Sequence, residues 1–143
     1  EVLQENTTGK PPEINLNLEL NTGKTLLSLI QDNTLNACHD ISDGGMIIAI
    51  CEMLMRSKLG ATIDISDQTI IEELFGEDQS RYIVAVSPSD KAKLLSRLKK
   101  NNVENHMIGK ILKQELKINN NIIISDNELY EAYENTIPSI MNS

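Results

Sequence analysis

The chain has 143 residues, a formal net charge of -8 and a pI near 4.7. That length fits one domain, and the acidic balance argues against a nucleic-acid face, which needs clustered Lys and Arg to displace counterions. Hydrophobic residues make up 40% but aromatics only 3%, and Trp is absent, so Ile, Leu, Val and Met must fill the core.

In chain order, residues 1–13 (EVLQENTTGKPPE) are polar with a Pro-Pro pair and read as an extended arm or linker, leaving 14–143 as the domain. INLNLEL (14–20) alternates apolar and polar residues, a strand pattern. Thr22 or Gly23 can open a helix through TLLSLIQDN, and LNACHD reads as a short buried strand. Residues 44–58 give the strongest helix, with Met46, Ile47, Ile50, Met53 and Leu54 on its apolar face and Gly60 as its stop. ATIDIS (61–66) is a second alternating strand, and QTIIEELFG (68–76) a short helix. RYIVAVS (81–87) is β-rich and reads as a central strand. SPSD (87–90) starts a helix with Pro at its first position, with Leu94, Leu95 and Leu98 facing inward. The basic run Lys91, Lys93, Arg97, Lys99, Lys100 on that helix reads as a solvated face. HMIGKIL, ELKINN and NIIISD read as three short strands, and NELYEAYENTIPSIM as a closing helix broken near Pro138. The pattern predicts an α/β (α+β) sandwich with a mixed, largely antiparallel sheet and helices packed on it.

Cys38 and Cys51 form no Cys-x-x-Cys pair and no disulfide framework, and read as buried thiols in a reducing cytoplasm. No apolar stretch approaches the roughly 20 residues of a membrane span, and there is no signal peptide. The chain starts at Glu1 rather than Met, which reads as a piece of something longer.

Two clusters carry the chemistry. The first is His39-Asp40-Ile41-Ser42-Asp43-Gly44-Gly45, between a strand end and a helix start. The first amides of a helix lack internal partners and carry partial positive charge, and a Gly-Gly pair lets a ligand approach them. Such a turn can hold a phosphate or other anion, with Ser42 as a further donor. Asp40 and Asp43 would repel that anion, and could instead bind Mg²⁺, or Asp43 could simply cap the helix. The loop matches neither GxxxxGK[ST] nor GxGxxG. The second cluster is Leu74 to Tyr82, with Glu77, Asp78, Gln79, Ser80 and Arg81 ahead of the β-rich run. Arg81 could tie down Glu77 or Asp40 in a bidentate pair, or the group could line a cleft beside the glycine loop. His106 stands in an Asn-rich turn and carries no assignment. No Ser-His-Asp signature and no zinc-type spacing is present.

HDISDGG followed by an apolar helix, then LFGEDQSRYIVAV, resembles the C-terminal domain of the AIR synthase-related proteins. Within that superfamily the motifs are most similar to the formylglycinamidine ribonucleotide (FGAM) synthases, through HDxS[DE]GG and E-x-QSR[YF]. PSDKAKLLSRL, NHMIGKI, AYENTIPSI and the PPEINLNLE arm extend the resemblance over nearly the whole chain.

The resemblance implies one domain of a larger cytoplasmic synthetase that makes FGAM in purine biosynthesis from formylglycinamide ribonucleotide, ATP and glutamine-derived ammonia. It implies ATP and Mg²⁺ in the full enzyme but none bound to this chain alone, and a glutaminase subunit or domain as partner. It leaves the catalytic residues in N-terminal synthetase domains outside this chain, so none here is assigned a catalytic role or a metal. His39, Asp40, Ser42, Asp43, Gly44 and Gly45 would then line a shared ligand-binding cleft, supported by Glu77, Gln79, Ser80 and Arg81. Apolar surface meant for the missing neighbours would make the isolated chain self-associate. The alternatives are a non-catalytic anion- or nucleotide-binding regulatory module and a purely structural assembly domain.

Overall fold

The computed structural model describes residues 14–65 and 70–141, so the arm expected over 1–13 lies outside the described residues. Helix α1 (Leu16–Gln31) buries Thr22, Thr25, Leu26 and Leu29, one stripe at helical spacing. It begins earlier than the sequence suggests: the expected strand INLNLEL is its first turns. Asn15 caps it, its side chain accepting from Leu18 N–H at 3.0 Å. The alternation there buries little, since Leu16 and Leu20 stay 74% and 56% exposed. No strand among the described residues pairs with this segment, and the stripe beginning at Thr22 extends its helix backwards.

Strands β1 (Ala37–Asp40) and β3 (Tyr82–Ala85) form an antiparallel ribbon, pairing Cys38 with Val84 and His39 with Ile83. Cys38, Tyr82 and Val84 pack on a core of Leu26 and Leu29 from α1 with Leu94 and Leu98 from α4 (Lys91–Lys100). Ile83, on the opposite face, packs on a second core. There α2 (Gly45–Ser57) lays Met46, Ile47, Ile50 and Leu54 against Ala61, Ile63, Leu116 and Ile118. Those four come from β2 (Gly60–Ile63) and β5 (Leu116–Ile118), which lie in a sheet of order β4-β2-β5-β6 with β4 (Gly109–Leu112) and β6 (Ile122–Ile124). β2 and β5 run parallel, and the remaining pairings are antiparallel. The expected α/β architecture with mixed, largely antiparallel strands is what forms.

Several local expectations change. β3 pairs only with β1 among the described residues, so it is an edge strand rather than a central one. α4 starts after Asp90, leaving Pro88 in the preceding turn, and Leu95 is 42% exposed rather than inward. Most of the basic run is exposed, but Arg97 donates to Asp32 at 2.8 Å and to Ser28 Oγ at 2.9 Å, tying α4 to α1. α2 ends on Lys58 in the left-handed region (φ 55°). Gly60 serves something else: a Cβ there would lie 2.2 Å from the Glu115 carbonyl oxygen where the next strand passes. The closing segment divides at Asn135, the C-cap of α5 (Asp126–Glu134), before α6 (Thr136–Met141). A full capping box between Ser125 and Glu128 starts α5 and holds the Glu128 carboxyl below its ordinary range.

Candidate functional site

The two sequence clusters meet at the entrance of α2. Gly44 N–H donates to Glu77 Oε1 at 2.8 Å, and Gly45 N–H to the Ser42 carbonyl at 3.0 Å. Glu77 therefore supplies the negative group that the helix N-terminus attracts. The expected Asp43 cap gives way to a residue 33 positions along the chain. Gly44 and Gly45 both have positive φ, 83° and 74°. Space matters as much as φ at Gly45: a Cβ there would lie 2.6 Å from backbone atoms of Phe75, the last residue of α3 (Ile70–Phe75). Gly45 thus lets α3 close on α2, while a Cβ on Gly44 would meet the Ile48 side chain of α2 itself.

Arg81 completes this closure. Its guanidinium donates to the Gly76 carbonyl at 3.1 Å and the Glu73 carbonyl at 3.3 Å, placing positive charge on the C-terminal end of α3. Its carboxylate neighbour is Asp78 at 3.5 Å, where the sequence suggested Glu77 or Asp40. Ser80 takes positive φ (63°) and donates to Glu19 Oε2 of α1 at 2.7 Å. Ser42, Asp43 and Gln79 are exposed.

His39 goes elsewhere. Its Nδ1 lies 2.6 Å from the Asp40 carbonyl, which can only accept, so Nδ1 donates. Its Nε2 lies 3.2 Å from Glu52 Oε2 on α2, and Glu52 Oε1 accepts from Tyr133 OH of α5 at 2.6 Å. This chain borders an open depression of about 920 Å³ that also includes Cys38 and Arg56. The hydrogen bond to Glu52 raises the Tyr133 phenol above its ordinary value, and burial, then the Asp40 charge, raises the Cys38 thiol. Glu52 and Tyr133 escaped the sequence reading because they are 81 residues apart, and the AYENTIPSI segment that holds Tyr133 suggested no partner for it.

Among the described residues no group of three or more His, Cys, Asp or Glu is arranged to hold a metal ion. Nor do the loop residues suit the phosphates of a nucleotide: the Gly44 amide already serves Glu77, and exposed Asp40 and Asp43 stand beside it.

The family model of the AIR synthase related protein, C-terminal domain, matches residues 1–119. The chain belongs to this family. The domain is similar to the phosphoribosylformylglycinamidine synthase subunit PurL of Brucella ovis, at 38% identity over 135 residues. That match covers 94% of this chain but 18% of the Brucella protein, so the AIR synthase related domain spans under a fifth of the length of such relatives. Among solved structures, phosphoribosylformylglycinamidine synthase II of Thermotoga maritima overlays with a TM-score of 0.67 at 19% identity, covering 78% of this chain and 21% of that one. T. maritima PurL complexed with FGAR gives 0.66 at 18% identity, covering 78% and 20%. At such identity the overlay speaks to fold alone, and it agrees with the mixed α/β arrangement of the AIR synthase related domain. No helix among the described residues is long and apolar enough to cross a membrane.

Proposed function

We propose that this chain is the C-terminal domain of the synthetase subunit of an FGAM synthase. The whole protein would be a cytoplasmic ATP-dependent C–N ligase joining glutamine-derived ammonia to formylglycinamide ribonucleotide in purine biosynthesis. The observation that carries this reading is the 38% identity to PurL along 94% of the chain. ATP, Mg²⁺ and the substrate belong, in this reading, to N-terminal synthetase domains outside the chain, and a glutaminase delivers the ammonia. No residue here is assigned a catalytic step.

Within that protein the glycine loop acts as a latch. Gly44, Gly45 and Glu77 lock α3 onto α2, while Ser80 and Arg81 bind the entry of β3 to α1 and to the end of α3. Asp40, Ser42, Asp43 and Gln79 remain exposed around the latch, and His39 braces β1 against α2 through Glu52. The same geometry disfavours the anion-cradle alternative, because a phosphate would have to displace a carboxylate already bonded to the Gly44 amide.

Two assays test the proposal separately. Glutamine-dependent FGAM formation is expected from the longer synthetase with its glutaminase and not from the isolated chain. A longer protein inert towards formylglycinamide ribonucleotide overturns the assignment, and turnover by the isolated chain overturns its non-catalytic role. For the latch, an amide chemical-shift titration with phosphate, Mg-ATP and formylglycinamide ribonucleotide should leave residues 42–46 unmoved. Saturable shifts there would mean the loop is a ligand cradle after all.

A further inference from the structure

β3 has the composition of a buried central strand, apolar on both faces, yet it pairs only with β1 among the described residues. β4 likewise pairs only with β2. Both border a single groove of about 640 Å³. Its four walls are β3 at Val84, β4 at Ile111, α2 at Ile50 and Met53, and α4 at Leu94 and Leu95.

Strand register fixes which backbone groups are left over. In the β1–β3 ladder Ile41 N–H donates to the Arg81 carbonyl at 3.0 Å, so Ile41–Arg81 is a bonded pair, and so is every second pair beyond it. Tyr82 and Val84 fall between bonded pairs and turn their N–H and C=O away from β1. In the β2–β4 ladder Asp64 N–H donates to the Ile108 carbonyl at 2.8 Å, which by the same alternation turns the groups of Gly109 and Ile111 away from β2. An open edge that is apolar on both faces is one that proteins normally cover.

We infer that this groove is the seat of a further β-strand, supplied by the same polypeptide from outside these 143 residues, which joins the two sheets into one. Such a strand would bond to β3 and β4 along its two edges. Its side chains would alternate between the α2 wall and the α4 wall. Both walls are apolar, so the segment must be apolar on both faces, a run of about 4–6 residues rich in Val, Ile and Leu. This chain has no such run to spare: Ile122–Ile124 is already β6, and residues 1–13 contain only Val2 and Leu3 as adjacent apolar residues. PurL relatives, of whose length this chain spans 18%, have ample further chain. The inference holds whatever reaction the longer protein performs.

The probe is a peptide of five Val and Ile residues flanked by Lys pairs, titrated into the isotope-labelled chain. Saturable amide shifts are expected at 82–86 and 108–111. A peptide of equal length with Thr at every second position should bind at least tenfold more weakly, since one apolar wall would then meet hydroxyls. Val84→Pro should lose at least tenfold in affinity with the remaining spectrum intact, because β1 does not use that N–H. Leu95→Lys, on an exposed α4 position, should weaken binding similarly if the proline variant fails to fold. The inference is overturned by flat spectra at millimolar peptide, or by equal binding of the two peptides. It is also overturned if the Val84 and Ile111 amides are already protected from exchange in the free chain. Protection that survives dilution would mean residues 1–13 fill the groove, and protection that rises with concentration would mean a second copy does.

Discussion

Helix α2 takes part in two regions that differ in almost every respect. Its entrance holds the densest polar chemistry in the chain and is closed by the chain's own groups: Gly44 to Glu77, Gly45 to Ser42, and α3 pressed against Gly45. Its middle, at Ile50 and Met53, faces a groove with little polar character whose edge strands have backbone groups to spare. Density of polar side chains is therefore a poor guide to where this molecule is open. Unused hydrogen-bonding capacity beside uncovered apolar surface is the better one.

The sharpest way to break the contrast is Gly45→Ala. The added methyl combines a left-handed backbone penalty with overlap against the Phe75 backbone, so a stability loss of about 3 kcal/mol or more is expected in urea unfolding. A loss under about 1 kcal/mol would mean that α3 does not need its close approach to α2.

A second test uses Cys51, buried in the core that α2 shares with the four-stranded sheet. Burial, with a smaller contribution from Glu52, pushes its thiol up to about 11 from an ordinary 9.0. The folded state therefore holds the proton that the unfolded chain releases first. The stability this represents is complete below pH 9 and is lost as pH rises through about 11, by at most about 3 kcal/mol. Cys51→Ala should flatten that alkaline decline, and an unchanged pH profile would remove Cys51 as its cause.

A smaller effect is expected at the latch. Glu77→Ala should cost about 1 kcal/mol, and Glu77→Gln, which retains an acceptor for the Gly44 amide, about half as much. Equal losses for the two variants would point to the charge rather than the hydrogen bond. The smallest change concerns the His39–Glu52–Tyr133 chain. Glu52→Gln should lower the Tyr133 phenol titration, read by ultraviolet absorbance, towards its ordinary value with little change in stability.

Much of the fold was legible because periodicity and local chemistry agreed. α2, the LNACHD strand and the three short strands after Asn105 all formed near their expected positions. At residues 14–20 the two cues disagreed, since alternation indicates a strand only where a sheet covers one side, and none among the described residues does. β3 was read correctly as a strand and wrongly as central, since composition records the burial a strand is suited to, while pairing depends on which neighbours are present. For the candidate site, the sequence identified both clusters but neither the Gly44–Glu77 bond nor the separation of His39 from the glycine loop.

The sequence by itself determined the family, through HDISDGG and the Gln79-Ser80-Arg81 entry, and it determined most elements, because capping, glycine placement and apolar spacing act within a few residues of one another. Only the tertiary structure decided what those elements do for each other. A carboxylate 33 residues away took the helix amide, a guanidinium capped α3, and among the described residues β3 and β4 each turned an unpaired edge to the same groove. Those outcomes depend on distances between remote segments, which packing sets and no local pattern encodes.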